Sequence, residues 1–345
     1  MSVIVRVDLL KSLEVVEAGL SAKDIVEQSS CYIFQSGRVW TYNDDVACSV
    51  ELPSGMDNLE CAVPAVEFRT LLSKMKDEQL DVSLSSDKGD DGQLLLKTKT
   101  RRAGIRVQVE VKLPVSEITM PDKWVKLPKG LKEAVSTVQG CVGKGDQLFV
   151  LGCIHLTPKG LEACDNYQAI RYRLKTGLQF PVLVKSVELG SIVKLKLEEW
   201  GLSESWLHFR NSDGLMVSCR RWDQTYPKLS EFFKVDGEET GLPKSLTDAV
   251  AKAEVFVDSK QDVSGLSVDL KGSRLLLRGE GPLGWYEERQ KVDYQGKRLQ
   301  FNIAPRLLRE VCQRSDRCLV GKDKLRVTGD SFVYVTCLAV DDEEE

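Results

Sequence analysis

The residues best equipped for chemistry stand together in LEACDNYQAIRYRL, Leu161–Leu174, where Cys164, Asp165, Asn166, Tyr167 and Gln168 are consecutive. A thiol beside a carboxylate invites a nucleophile reading, with His155 as its base. No local signature of a cysteine enzyme surrounds it. Cys153 and His155 lie at i, i+2 on an expected strand and share a face, but no spacing supplies the two or three further ligands a metal needs. GEGPLG, Gly279–Gly284, matches G-x-G-x-x-G. A dinucleotide loop must open a helix, whereas here Pro282 interrupts the loop and WYEERQKVDY follows as an expected strand. GCVGKGD, Gly140–Asp146, lacks the P-loop spacing and its Ser/Thr and reads as a turn after a helix. His208, in SWLHFRN, reads as a strand residue. No catalytic constellation survives, so the chain is expected to be no enzyme and to need no cofactor or metal. The polar run then requires another explanation.

The chain has 345 residues, 42% hydrophobic and 29% charged, a globular composition long enough for two or three domains. It has no apolar run of membrane-spanning length, and Arg6 and Asp8 break the N-terminal apolar stretch, which excludes a secretory signal. Ten scattered cysteines without a C-x-x-C pair suit buried thiols in a reducing cytoplasm. The net charge of −4 is dominated by the acidic run Asp341–Glu345 and gives no global sign of nucleic-acid binding.

The elements that must position the polar run repeat three times. CAVPAVEFRTLLSKMK, LQFPVLVKSVELG and FNIAPRLLREVCQR each show a strand, a proline (Pro64, Pro181, Pro305) and an amphipathic helix. A second helix type precedes each, in VDLLKSLEVVEAG, PKGLKEAVSTVQG and PKSLTDAVAKAEVFV, with Leu10, Leu131 and Leu246 equivalent. The two series agree on a unit of roughly 115–120 residues. CYIFQSGRVWTYN, LFVLGCIHLTPKGLEAC and LSVDLKGSRLLLRGE read as strand, turn, strand. Setting Ala47 against Ala169 aligns TYNDDVACSVEL with ACDNYQAIRYRL, so the polar run is a repeated turn between strands.

This threefold order resembles the bacterial DNA polymerase III β sliding clamp family over essentially the whole chain. The most specific pieces are AVPA before the second helix, KLP at Lys112–Pro114, DNYQA at the polar turn, WDQTYPKLSEFF at Trp222–Phe233, and the final strand FVYVTCLAV. The resemblance implies an α+β fold of three repeated clamp domains, at 1–124, 125–235 and 236–340 with an acidic tail at 341–345. Each domain would be two helices backed by antiparallel sheet, and a head-to-tail homodimer would close a six-domain ring. It implies a DNA sliding clamp that encircles duplex DNA without sequence preference, is loaded by an ATP-driven clamp loader and tethers a DNA polymerase through a short clamp-binding peptide. The other function considered is a clamp-fold scaffold recruiting repair or recombination proteins, or modulating a host clamp.

By resemblance, a groove for a Gln-Leu-x-Leu-Phe peptide is walled by Val150, by Cys164, Asn166, Tyr167, Gln168 and Ala169, by Pro227 and Phe232, and by Val335, Thr336, Cys337 and Leu338, with Tyr167 and Gln168 exposed. An apolar trough with a few polar groups suits such an anchor. The acidic tail beside it implies a partner with basic flanks, or gating by the tail. The DNA-facing set comprises Lys11, Arg69, Lys74, Lys76, Lys129, Lys132, Lys185, Lys244, Lys252, Arg306, Arg309 and Arg314, a loose track for phosphates. No base-reading motif accompanies it. Edge strands near Arg102–Leu113 and Trp285–Tyr294 are expected at the ring interface.

Overall fold

The hairpin Cys31–Gln35/Arg38–Tyr42 turns through Ser36 and Gly37, both at positive φ (52° and 70°). Two consecutive positive φ values define the turn whose twist matches paired strands. The computed structural model to which it belongs describes residues 2–24, 26–86, 91–145, 148–257 and 265–339. The acidic run 341–345 lies outside them. The chain forms two compact units, Met1–Lys132 with Val184–Asp223, and Glu133–Leu183 with Gln224–Glu345. The middle repeat is thus divided between the units.

The first unit holds one antiparallel sheet. From Ser2–Val5 it runs through Gln79–Ser86, Asp91–Lys97, Arg102–Gln108, Cys61–Pro64 and Cys31–Gln35 to Arg38–Tyr42 and Val46–Glu51. It continues without a break into Met216–Trp222, Trp206–Arg210, Glu199–Leu202 and Trp124–Lys126. The register Ala47↔Ser218 joins a strand of the first repeat to the last strand of the second. In the second unit, Gln168–Arg173 pairs with Phe332–Cys337 in the equivalent way, with Ala169↔Val335. A separate sheet there runs Gly284–Lys291, Arg274–Gly281, Leu266–Lys271, Leu299–Ile303.

Six α-helices lie among the described residues: α1 Arg6–Val15, α2 Ala65–Lys74, α3 Leu131–Gln139, α4 Ser186–Ile192, α5 Leu246–Ala253 and α6 Pro305–Arg314. Each coincides with an expected helix, but the role given to proline holds in one alone. Pro305 opens α6, Pro64 is the N-cap of α2, and Pro181 precedes the buried strand Val182–Lys185. The alternating β-branched residues Val182 and Val184 suit a strand, which moves the start of α4 to Ser186. The N-caps Pro64, Lys185 and Ala304 are then equivalent, about 120 residues apart. No helix among the described residues is long and apolar enough to cross a membrane.

The apolar stripes of these helices close the cores. Leu9, Leu13, Phe68 and Leu72 are buried from α1 and α2, with Phe68 edge-on to Tyr32 and Phe34. On the same unit His208, confirmed in the strand Trp206–Arg210, is fully buried between Ser203 Oγ (2.8 Å from Nε2) and Ser218 Oγ (2.7 Å from Nδ1). Burial lowers its pKa from 6.5 to about 4, against a backbone bond to Thr119 that favours the charged ring. The unfolded chain therefore binds a proton on this ring that the folded chain refuses. The His208 contribution is complete above pH ~6.5 and is lost as pH falls to ~4, up to about 3 kcal/mol. Urea titrations over this range are expected to show that loss in the native chain and a shallower one in His208→Gln.

Candidate functional site

The polar run is a turn locked by one carboxylate. Asp165 Oδ1 accepts the backbone N–H groups of Tyr167 (2.7 Å) and Gln168 (2.9 Å), and Oδ2 accepts Gln168 Nε2 (3.0 Å). Asn43, at the aligned position in the first repeat, accepts from Asp45 (3.2 Å) and Val46 (2.8 Å) in the same pattern. Short acceptor side chains hold such turns by replacing a backbone partner, which accounts for the composition without catalysis.

Gln168 follows as an interior strut, 3% exposed, accepting from Tyr334 Oη (2.9 Å) and donating to Gly140 O (3.4 Å). Its exposure was expected; its second amide hydrogen bond and its pairing inside the sheet take it inward. Cys164 is buried and accepts from Tyr226 Oη (3.3 Å). Burial pushes its thiol pKa up, partly offset by that bond, the opposite of what an activated nucleophile needs. His155 points Nδ1 at Glu162 (3.1 Å) and stacks on Tyr226 at 4.7 Å. Burial opposes the Glu162 charge, but His155 and Arg171 (2.6 Å) outweigh it and hold the carboxyl below its usual range. Among the described residues no group of three or more His, Cys, Asp or Glu is placed to hold a metal ion.

These contacts tie down the segment after Asp223. Tyr226, Leu229 and Phe233 are buried, Phe233 lying 4.6 Å beneath Arg171, while Pro227 remains exposed and Phe232 half-buried. The last strand closes the arrangement: Cys337 N–H donates to Tyr167 O (2.8 Å), as does Thr336 Oγ1 (3.2 Å). Cys337 faces Lys324 in the ladder, and Lys324 Nζ sits 5.6 Å over the Phe232 ring. Val150 accepts from Cys153 N–H at the start of the strand beside that of Cys164.

The basic residues fall into four groups. Lys74, Lys76, Lys129, Lys132 and Lys244 are exposed with no ion-pair partner among the described residues. Five are paired: Lys11 with Asp8 (3.3 Å), Arg69 with Glu17, Lys185 with Asp45 (2.7 Å), Lys252 with Glu288 (3.2 Å) and Arg309 with Glu254 (3.0 Å). Arg306 lies against Asp165 (3.4 Å) and over the Tyr167 ring (5.3 Å). Arg314, 11% exposed, is built into the interior between Glu310 (2.9 Å), Thr137 O (3.3 Å) and the Tyr334 ring (4.8 Å).

No protein-family model matches the sequence, and no curated protein sequence matches it significantly. The fold does match. The DNA polymerase III β chain of Streptococcus pneumoniae superposes with a TM-score of 0.81 at 15% identity over 98% of this chain and 99% of its own. The β subunit from DNA polymerase of Streptococcus pyogenes gives 0.79 at 16% over 98% and 99%, and a DNA polymerase sliding clamp from Pseudomonas aeruginosa 0.80 at 15% over 98% of each. The chain has the sliding-clamp fold.

Within that fold, the twelve residues expected to wall a groove divide in two. Val150, Asn166, Tyr167, Pro227, Phe232 and Cys337 are exposed or half-buried, whereas Cys164, Gln168, Ala169, Val335, Thr336 and Leu338 are buried behind them. Arg306 and Lys324 stand on the same surface, over Tyr167 and Phe232, although the sequence places Arg306 on a helix face and does not single out Lys324. Arg314 cannot present its charge to phosphates from its interior position. If the turn rather than chemistry explains the polar run, Asp165→Ala and Asn43→Ala each cost about 1–3 kcal/mol in chemical denaturation. Alkylation at neutral pH is expected to spare Cys164 until the protein unfolds.

Proposed function

We propose that this chain is a DNA sliding clamp, a non-catalytic ring of two copies joined head to tail that encircles duplex DNA and tethers a polymerase. The observation that carries this reading is the junction made twice within the chain. The strand after the polar turn pairs with the last strand of the following repeat, at Ala47↔Ser218 and again at Ala169↔Val335. The third equivalent strand, Gly284–Lys291, has a partner on one side alone among the described residues. The last strand of the first repeat, Arg102–Gln108, is paired along its length with Asp91–Lys97 but on its other side at Gln108 alone. A second copy supplies the missing partner at each end, and two such interfaces close under a two-fold axis. Trp285, 60% exposed on one open edge, and Ile105 on the other give this pairing an apolar component.

The three repeats, 1–124, 125–235 and 236–340, are the clamp domains of this reading. The unpaired lysines of the helices and their approaches (Lys74, Lys76, Lys129, Lys132, Lys244) supply a sequence-independent phosphate track, with the ion-paired cations as a second rank. The surface bearing Tyr167, Pro227, Phe232 and Cys337 receives the short peptide of a polymerase, and an ATP-driven loader opens the ring. A topological link gives processivity without tight binding, so no reactive side chain is required.

Light scattering is expected to give twice the 38.6 kDa chain mass, and electron microscopy a ring with a central hole. Ile105→Glu with Trp285→Glu should yield folded monomers; a native chain that is monomeric and without a hole sinks the proposal. Replacing Lys74, Lys76, Lys129 and Lys132 by Glu should weaken equilibrium binding to short linear duplex DNA, where no topological link holds the ring, and flatten its salt dependence by about 0.9 in log–log slope for each phosphate no longer neutralised.

A further inference from the structure

The groove surface carries two cations, each laid over an aromatic side chain of its wall. Arg306, at the start of α6, covers Tyr167; Lys324 covers Phe232. They belong to one continuous surface, because the Tyr167 carbonyl binds Cys337 N–H and Cys337 lies opposite Lys324 in the ladder. We propose that this surface selects a partner peptide bearing carboxylates on both sides of its apolar anchor, with Arg306 and Lys324 as the residues that set this preference. The inference rests on the peptide-docking reading above and names the chemistry of the partner.

The charges around the two cations leave them available. Arg306 is 48% exposed, and its carboxylate partner, Asp165, already accepts three other hydrogen bonds. A guanidinium has five N–H donors, and the single bond to Asp165 is long at 3.4 Å. Lys324 bonds to a backbone carbonyl, Lys234 O, at 3.4 Å and has no ion-pair partner among the described residues. Of the neighbouring acids, Glu231 is paired with Lys234 at 2.8 Å, and exposed Asp323, next to Lys324 in the chain, makes no ion pair with it among the described residues. Stacking on a ring holds each cation beside the apolar wall while its donors stay open to a ligand. The basic-flank expectation drawn from the acidic run 341–345 concerned residues outside those described; the groove's own cations favour the opposite sign.

The test uses the full chain and labelled peptides with a Gln-Leu-Ser-Leu-Phe core flanked by Asp, Asn or Lys pairs, read by fluorescence anisotropy. The order of affinity is expected to be Asp, then Asn, then Lys. The Asp advantage over Asn should be about two- to five-fold for each cation, and should shrink as salt rises. In Arg306→Gln with Lys324→Gln the three peptides should converge, and in Arg306→Glu with Lys324→Glu the order should invert, with unchanged Tm confirming the fold. Equal Kd for the Asp and Asn peptides in the native chain, or an Asp preference that survives both double variants, overturns the inference while leaving the groove standing. No saturable binding of any of the three overturns the groove reading and the inference with it.

Discussion

Backbone hydrogen bonding between successive repeats is the constraint on which the structure depends. A repeat of about 120 residues could fold as a closed domain, yet in the first two repeats the strand that follows the polar turn instead pairs with the final strand of the next repeat. Leaving such an edge open would expose a row of unmet N–H and C=O groups, which proteins avoid by covering or pairing them. The same pairing explains why the compact units cut through the middle repeat. Met216–Trp222 is tied to Val46–Glu51, so the end of the second repeat moves with the first. Buried side chains then lock the register: Ala47 and Ala169 are both small and buried at the aligned position of each junction.

The candidate docking surface is a by-product of that junction. The last strand can pair with Gln168–Arg173 only if the turn before it keeps its backbone in order, and Asp165 does this by accepting two backbone N–H groups. The Tyr167 carbonyl is then free to extend the pairing to Cys337 and Thr336. Anchoring of the following segment comes from a different set of contacts, Tyr226 on His155 and Cys164, and Phe233 under Arg171. Residues that look reactive in the sequence are therefore occupied in holding a backbone and a linker. Their polarity serves position, and the surface available to a partner is made by half-buried side chains beside them.

The period, the helices, the hairpins and the equivalence of Asn43 with Asp165 were legible in the sequence because each has a local signature. What failed were assignments that depend on tertiary facing. Arg314 follows Leu307 by seven residues and Val311 by three, which places it on the buried stripe of α6; heptad spacing could have flagged it. Arg306 lies beside that stripe on the same helix, but nothing local announces that Tyr167, far away in sequence, lies beneath it. Lys324 is similar: it reaches the Phe232 ring where its Nζ bonds Lys234 O, a contact between segments distant in sequence. Pro181 misled for another reason. Proline permits a helix start but does not compel one, and the valines after it prefer a buried strand.

The third copy of the turn shows how little the local sequence needs to resemble the others once the junction sets its place. There the run GEGPLG replaces the acceptor side chain with glycine, and the hairpin closes at Gly281↔Gly284 with Gly284 at φ +145°. A side chain at Gly279 or Gly281 would collide with the backbone carbonyls of Ala253 and Phe256, so the glycines are set by close packing of the helical segment over the strand. The apparent dinucleotide fingerprint is thus the same strand-to-strand turn as Asn43–Val46 and Asp165–Gln168, followed by a strand and not a helix. One position therefore carries three chemistries in three repeats. Among the described residues, the second copy is the one that meets both a following last strand and a helix start bearing Arg306 over its Tyr167, and the proposed docking surface lies there.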